Sequence, residues 1–250
     1  MQPQKNLWLA LTIGNTRLHW ALFAGGILEE TWDSNHLGES ENSPLLLSPP
    51  LYHSPSPPLY LASVVPSQTA LWQSYPELRV ISLDQVPLQG VYPTLGVDRA
   101  LAVLGAGVTF GWPILVMDAG TAFTFTGADA AGRLVGGAIL PGLNLQIQSL
   151  AKGTAALLEI ELPATLPPRW SLNTTSAIQS GIIHTVLAGI ADFIPAWWQE
   201  FPESRIVLTG GSSTFVFNYL QALFPQLAAK IVRDPHLIFW GMRSIVIAND

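Results

Sequence analysis

The stretch ILVMDAGTAFTFTG, residues 114–127, runs an apolar segment into a lone aspartate, a small Ala-Gly-Thr turn and then alternating Thr and Phe. Residues 9–23, LALTIGNTRLHWALF, have the same outline: apolar segment, polar residue, glycine, threonine, second apolar segment. Thr12 takes the place of Asp118 and Gly14 that of Gly120, a shared offset of 106 residues. Each reads as a strand, a tight glycine turn and a second strand, so the chain carries one supersecondary unit twice.

The segments downstream of each unit support that reading. After the first come short strands at 59–63 and 79–83 around a helical stretch at 67–74. A helix then carries Asp98 and Arg99 in its first turn and runs to about Gly107. After the second, the spacing predicts a strand at 133–139, helices at 143–158 and 175–199, a strand at 206–208, a helix at 214–223 and a helical tail from Asp234. Alternating helices and strands in both halves predict an α/β protein of two similar domains, residues 1–95 and 96–250, with a ligand cleft between them and a tail that packs back on the first. Six prolines (44, 49, 50, 55, 57 and 58) mark 44–58 as a surface loop.

Composition excludes several function classes. Hydrophobic residues make up 49% of the 250 and charged residues 11%, ample for a core and for a buried subunit interface. A net charge of −6 and no run of Lys or Arg argue against a nucleic-acid partner. Cysteine is absent, which excludes disulfides and thiolate metal sites. The uncharged stretch 100–117 contains Gly105, Gly107, Gly111 and Pro113 and leads into Asp118, so no membrane span is expected there. The N-terminal MQPQKN lacks signal-peptide character, and a cytoplasmic protein is expected. No Walker A pattern is present, GAGVTFG at 105–111 has the wrong spacing for a dinucleotide fingerprint, and the five histidines show no ligand spacing.

The chemistry lies in the turns. A glycine turn can aim backbone N–H groups at an anion, with Thr or Asn adding a donor, and a nearby carboxylate can hold a cation. Two such turns facing each other would grip a nucleotide's phosphates; either alone is also an ordinary hairpin in which glycine supplies the turn. LTGGSS, 208–213, ends a strand before a helix and suits close backbone approach to a base or ribose. In GVDR, 96–99, Asp98 reads either as a helix cap or as a base orienting a hydroxyl, with Arg99 holding a carboxylate or phosphate.

Taken in order, IGNTRLHWALF (13–23), GVDR (96–99), MDAGTAFTF (117–125), GGAILPGL (136–143), NTTSAIQSGI (173–182) and LTGGSS (208–213) resemble the type III pantothenate kinases of the acetate kinase/heat-shock chaperone/actin-like superfamily. The resemblance implies two ribonuclease H-like domains and a cytoplasmic homodimer with shared active sites, which phosphorylates pantothenate with ATP. It implies ATP contacts from Thr12, Ile13, Gly14, Asn15, Thr16, Arg17, Leu18, His19 and Thr121. Asp118 would hold a monovalent cation, potassium or ammonium, with Mg²⁺ accompanying ATP. Asp98 would be the catalytic base. Tyr92, Gly96, Val97, Asp98, Arg99 and, across the dimer, Thr174 would meet pantothenate. One residue departs from the pattern: the family's first motif opens with Asp and this chain has Thr12. The alternative it raises is a catalytically weak or inactive homologue that binds ligand as a regulatory protein.

Overall fold

The computed structural model describes residues 6–38, 56–153 and 160–248. Most of the proline-rich stretch expected to form a loop, residues 44–55, lies outside them, as do residues 154–158 of the expected helix at 143–158.

The first unit opens with β1 (Leu7–Ile13), β2 (Leu18–Ala24) and β3 (Ile27–Ser34) as an antiparallel meander. β4 (Leu59–Ser63) then pairs parallel to β1, α1 (Pro66–Leu71) comes next, and β5 (Leu78–Val80) pairs parallel to β4, giving the order β3-β2-β1-β4-β5. β1 is buried on both faces, which is why its sequence is a nearly continuous apolar run. Leu9, Leu11 and Ile13 enter a core with Trp20, Leu61 and Trp72. Trp8 stacks on Phe23 at 4.2 Å between ring centres, and Phe23 meets Trp240 edge-on.

The second unit repeats the scheme. β6 (Ile114–Ala119), β7 (Ala122–Ala128) and β8 (Leu134–Pro141) form the meander. After α3 (Leu143–Gly153) and α4 (Thr174–Glu200), β9 (Arg205–Thr209) pairs parallel to β6. α5 (Ser213–Leu223) and α6 (Pro225–Ala228) lead to β10 (Ile231–Arg233), so the order read from the other edge is β8-β7-β6-β9-β10. Both sheets thus have the arrangement of a ribonuclease H-like domain. α4 is long and apolar enough to cross a membrane by length and composition. Here its Ile182, Ile183, Val186, Leu187, Ile190 and Ile194 form part of the core of the second unit.

α2 (Val97–Phe110) belongs largely to the first unit, together with α7 (Leu237–Ala248). The compact units are Met1–Val108 with Leu237–Asp250, and Thr109–His236. The division thus falls after α2 rather than at residue 96. The reason is a glycine interlock: a Cβ on Gly105 would strike the backbone of Leu237 and Gly241, and one on Gly241 would strike that of Leu101. α2 is buried from Ala100 to Gly107, as a helix apolar all round must be.

Three further differences from the sequence reading have local causes. β3 was not expected, because ILEETWDS is an edge strand exposed along most of its length and carries no continuous apolar face. The strand expected at 79–83 stops at Val80, and Ser82 opens a short 3₁₀ turn at Leu83–Gln85 by bonding Asp84 and Gln85. β10, three residues long, is too short to show a period.

Candidate active site

β1 and β2 stay in register up to Ile13↔Leu18, so residues 14–17 close the hairpin, and the Gly14 N–H donates to the Arg17 carbonyl at 3.1 Å. Asn15, Thr16 and Arg17 are exposed at its tip. Thr12 is buried in β1, paired with His19 on one side and Ala62 on the other. His19 Nδ1 donates to Asp33 Oδ1 at 2.7 Å, and Arg17 Nη1 lies 3.9 Å from the other carboxylate oxygen. All three side chains are about half exposed, so these pairs contribute little stability. His36 Nε2 donates to the Gly14 carbonyl at 2.8 Å.

GVDR meets this turn within the first unit through Val64. The Val64 N–H donates to the Ile13 carbonyl at 3.1 Å, and its Cγ1 faces Gly96, 3.6 Å from where a Cβ would stand. Gly96 caps α2: its carbonyl accepts from Ala100 N, and Val97 is the first helical residue. Asp98 therefore is not the cap, although a carboxylate in the first turn suits the helix dipole. Its Oδ1 accepts from its neighbour's backbone, Arg99 N, at 2.8 Å, and lies where a Cβ on Gly96 would stand. Burial pushes the Asp98 carboxyl above its ordinary 3.8, opposed by the Arg99 N–H and the Arg99 charge. Arg99 is buried, and its Nη1 donates to the Tyr92 hydroxyl at 3.1 Å. Tyr92 is 40% exposed, so it forms the outer edge of this cluster.

Asp118, Gly120 and Thr121 lie in the second unit with two other motifs. Gly142 N donates to the Thr121 carbonyl at 2.9 Å, and a Cβ there would strike the Gly120 and Thr121 carbonyls, which explains the glycine that follows β8. β9 pairs Thr209 with Asp118, and the chain turns at Gly210 with φ of +92°. A Cβ on Gly210 would strike the Asp118 carboxylate and the Ala119 backbone, while Ser212 N donates to the Ala119 carbonyl at 2.9 Å. The DAGT, PGL and LTGGSS segments thus form one backbone-lined cluster around Asp118.

Thr174 is the first residue of α4 and is exposed. Asn173 caps the helix by accepting from Ser176 N at 2.9 Å. Both line an open groove of about 670 Å³ with Leu150, Leu172, Gly181 and Ile182. The segment before it is tied down by helix side chains: Gln179 donates to the Glu161 carbonyl, Ser180 to Arg169 and His184 to Pro167. Gln179 and Ser180 of NTTSAIQSG are thereby accounted for as anchors.

Among the described residues no group of three or more His, Cys, Asp or Glu could hold a metal ion. What Asp118 offers is one carboxylate, a hard oxygen donor, with Gly120 and Gly210 leaving room beside it. That fits a cation whose remaining ligands are phosphate oxygens and water. Val64 and His36 carried no sequence signal, since each acts through backbone groups of a turn far away in the chain.

The type III pantothenate kinase family model matches residues 8–196. This chain belongs to the type III pantothenate kinase family. A type III pantothenate kinase of Nostoc sp. is 52% identical over 97% of this chain and 95% of that protein. One from Synechocystis sp. is 44% identical over 95% and 90%. Among solved structures, one from Campylobacter jejuni named as a Baf family transcriptional activator aligns with a TM-score of 0.65 and 20% identity, covering 96% of this chain and 98% of that one. MreB5 of Spiroplasma citri bound to AMPPNP aligns at 0.52 and 10%, covering 99% and 98%. At such identities these two speak for the fold alone, which is that of the actin-like ATPases. The segments that carry the resemblance are thus those that build the two clusters and the groove.

Proposed function

We propose that this protein phosphorylates pantothenate with ATP, giving 4′-phosphopantothenate and ADP, the first step of coenzyme A synthesis. Asp98 carries the reading: its carboxylate is partly buried, raised in pKa and held in the space that a side chain on Gly96 would fill. In this reading an Asp98 oxygen takes the proton of the pantothenate hydroxyl while the hydroxyl oxygen bonds to the γ-phosphorus. The bond from the γ-phosphorus to the β–γ bridging oxygen breaks, and ADP leaves with the electron pair. Phosphoryl transfer asks mainly for positioning and charge neutralisation. Gly14, Asn15 and Thr16 cradle phosphate, Thr12, Ile13, Arg17, Leu18 and His19 complete the first-motif contacts, and Thr121 adds a second turn. Tyr92, Gly96, Val97 and Arg99 line the pantothenate pocket. Asp118 would hold potassium or ammonium, and this cation and the Mg²⁺ that accompanies ATP would supply positive charge against the phosphates.

We further propose a cytoplasmic homodimer in which Thr174 serves the partner's site. Trp170 and Leu172, fully or nearly exposed beside Thr174, support that interface.

ADP release with pantothenate, Mg-ATP and potassium tests the activity; sodium in place of potassium should slow it. The competing reading, a homologue that binds without turnover, rests on Thr12. Silence from the native protein with activity gained by Thr12→Asp would favour it, and silence from both would end the kinase assignment.

A further inference from the structure

The phosphate turn is not left to its hairpin. After β3 the chain returns to it through residues 35–38, and three contacts fix that return. Leu37 is buried, packed with Leu11, Ile13 and Trp72 in the core of the first unit. Gln68 of α1 grips the Leu37 backbone at two points: its Oε1 accepts from Leu37 N at 3.0 Å and its Nε2 donates to Leu37 O at 3.1 Å. His36, one residue earlier, is thereby held with Nε2 2.8 Å from the Gly14 carbonyl. A carbonyl can only accept, so Nε2 carries the hydrogen.

We propose that His36 is a positioning residue for the nucleotide, acting through the Gly14–Asn15 peptide, and that Gln68 holds it in place. The inference rests on the reading of Gly14–Thr16 as the phosphate cradle. Gly14 O and Asn15 N–H belong to one peptide unit. A donor on the oxygen fixes that unit's plane and draws electron density toward the carbonyl, making the Asn15 N–H a stronger donor to an anion. The same bond keeps the glycine turn, the most freely rotating part of the hairpin, from swinging its amides away. In a motif that brings no carboxylate at residue 12, phosphate recognition leans correspondingly on backbone amides.

The test measures binding of Mg-ADP by titration calorimetry and steady-state constants for Mg-ATP and pantothenate. His36→Ala should raise the Mg-ADP Kd and the KM for ATP about three- to tenfold, the worth of one hydrogen bond. The KM for pantothenate should stay within about twofold. His36→Gln, whose amide can donate at similar reach, should recover most of the loss. Gln68→Met, which leaves His36 itself intact, should weaken nucleotide binding in the same direction and by less. Unchanged Mg-ADP affinity in His36→Ala would overturn the proposal, as would equal increases in both KM values or no recovery with Gln. If His36→Ala does not fold, Gln68→Met decides: unchanged nucleotide affinity there overturns it. Because Mg-ADP binding is read without turnover, native protein that binds it but ignores pantothenate would sink the substrate assignment and leave this proposal standing. Native protein that does not bind it would sink the phosphate cradle on which the proposal rests.

Discussion

Gly96→Ala separates chemistry from folding. Gly96 has no positive φ, so alanine is free to adopt its backbone, and the only close neighbour of the new methyl is the Asp98 carboxylate; Val64 lies at ordinary contact distance. Removing glycine's freedom from the unfolded chain favours folding by about 0.4–1 kcal/mol, whereas alanine is poorer at a helix cap by a similar amount. Net stability should therefore change by less than about 1 kcal/mol, or roughly 4 °C in melting temperature. The carboxylate, by contrast, must swing away by roughly 1 Å, a displacement that costs on the order of 10² in rate when the displaced group is the base. The experiment pairs a coupled ADP-release assay with thermal unfolding monitored by circular dichroism. A variant that melts with the native protein yet keeps more than about a third of its kcat/KM would refute the placement of Asp98. Loss of activity together with loss of the fold would refute the claim that Gly96 is there for the carboxylate.

Asp98→Asn should remove turnover by about 10² or more, with Mg-ADP binding retained. Because burial raises the folded pKa of Asp98, its ionised form costs stability above that pKa and the cost vanishes below the unfolded value, so the Asn variant should melt higher than native protein near neutral pH, with the gap closing as pH falls. For the same reason the acid limb of kcat/KM should lie above 3.8, and a limb at or below it would count against Asp98 as base. Gly241→Ala should destabilise the protein by about 3 kcal/mol in denaturant unfolding, since its methyl meets the Leu101 backbone and not a movable side chain. On the proposed dimer interface, Leu172→Asp should shift sedimentation velocity to that of a monomer and leave the melting temperature nearly unchanged, as that side chain is fully exposed in the single chain.

The parts of the fold legible in the sequence are those where local pattern and tertiary use agree. β1, β2, β6 and β7 are apolar runs broken by glycine turns, and the repeat at 106 residues places the same unit in both halves. β3 was hidden because an edge strand needs no apolar face, and the division between units because the α2–α7 interlock depends on two glycines with Leu101 and Leu237, far apart in sequence. At the candidate site the residue types were visible and their supports were not. GVDR announces a carboxylate, but the fact that Gly96 exists to make room for it appears only once Asp98 folds back over the helix start. Likewise LTGGSS reads from sequence as a strand end before a helix, whereas the Gly210 backbone is crowded by the DAGT segment. His36 is invisible to any spacing rule, since its partner is a carbonyl 22 residues away.

The α2–α7 interlock also has a consequence for biosynthesis. A chain leaving the ribosome presents β1 through α2 first, then the whole of the second unit, and only afterwards the helix that closes the first. The second unit is continuous in sequence and can assemble as it emerges; the first must wait with the Leu101 and Gly105 side of α2 uncovered until α7 arrives. Nascent protein therefore passes through a stage in which the Gly14–Arg17 hairpin is synthesised but its scaffold is unfinished, and the first unit is the last to be completed.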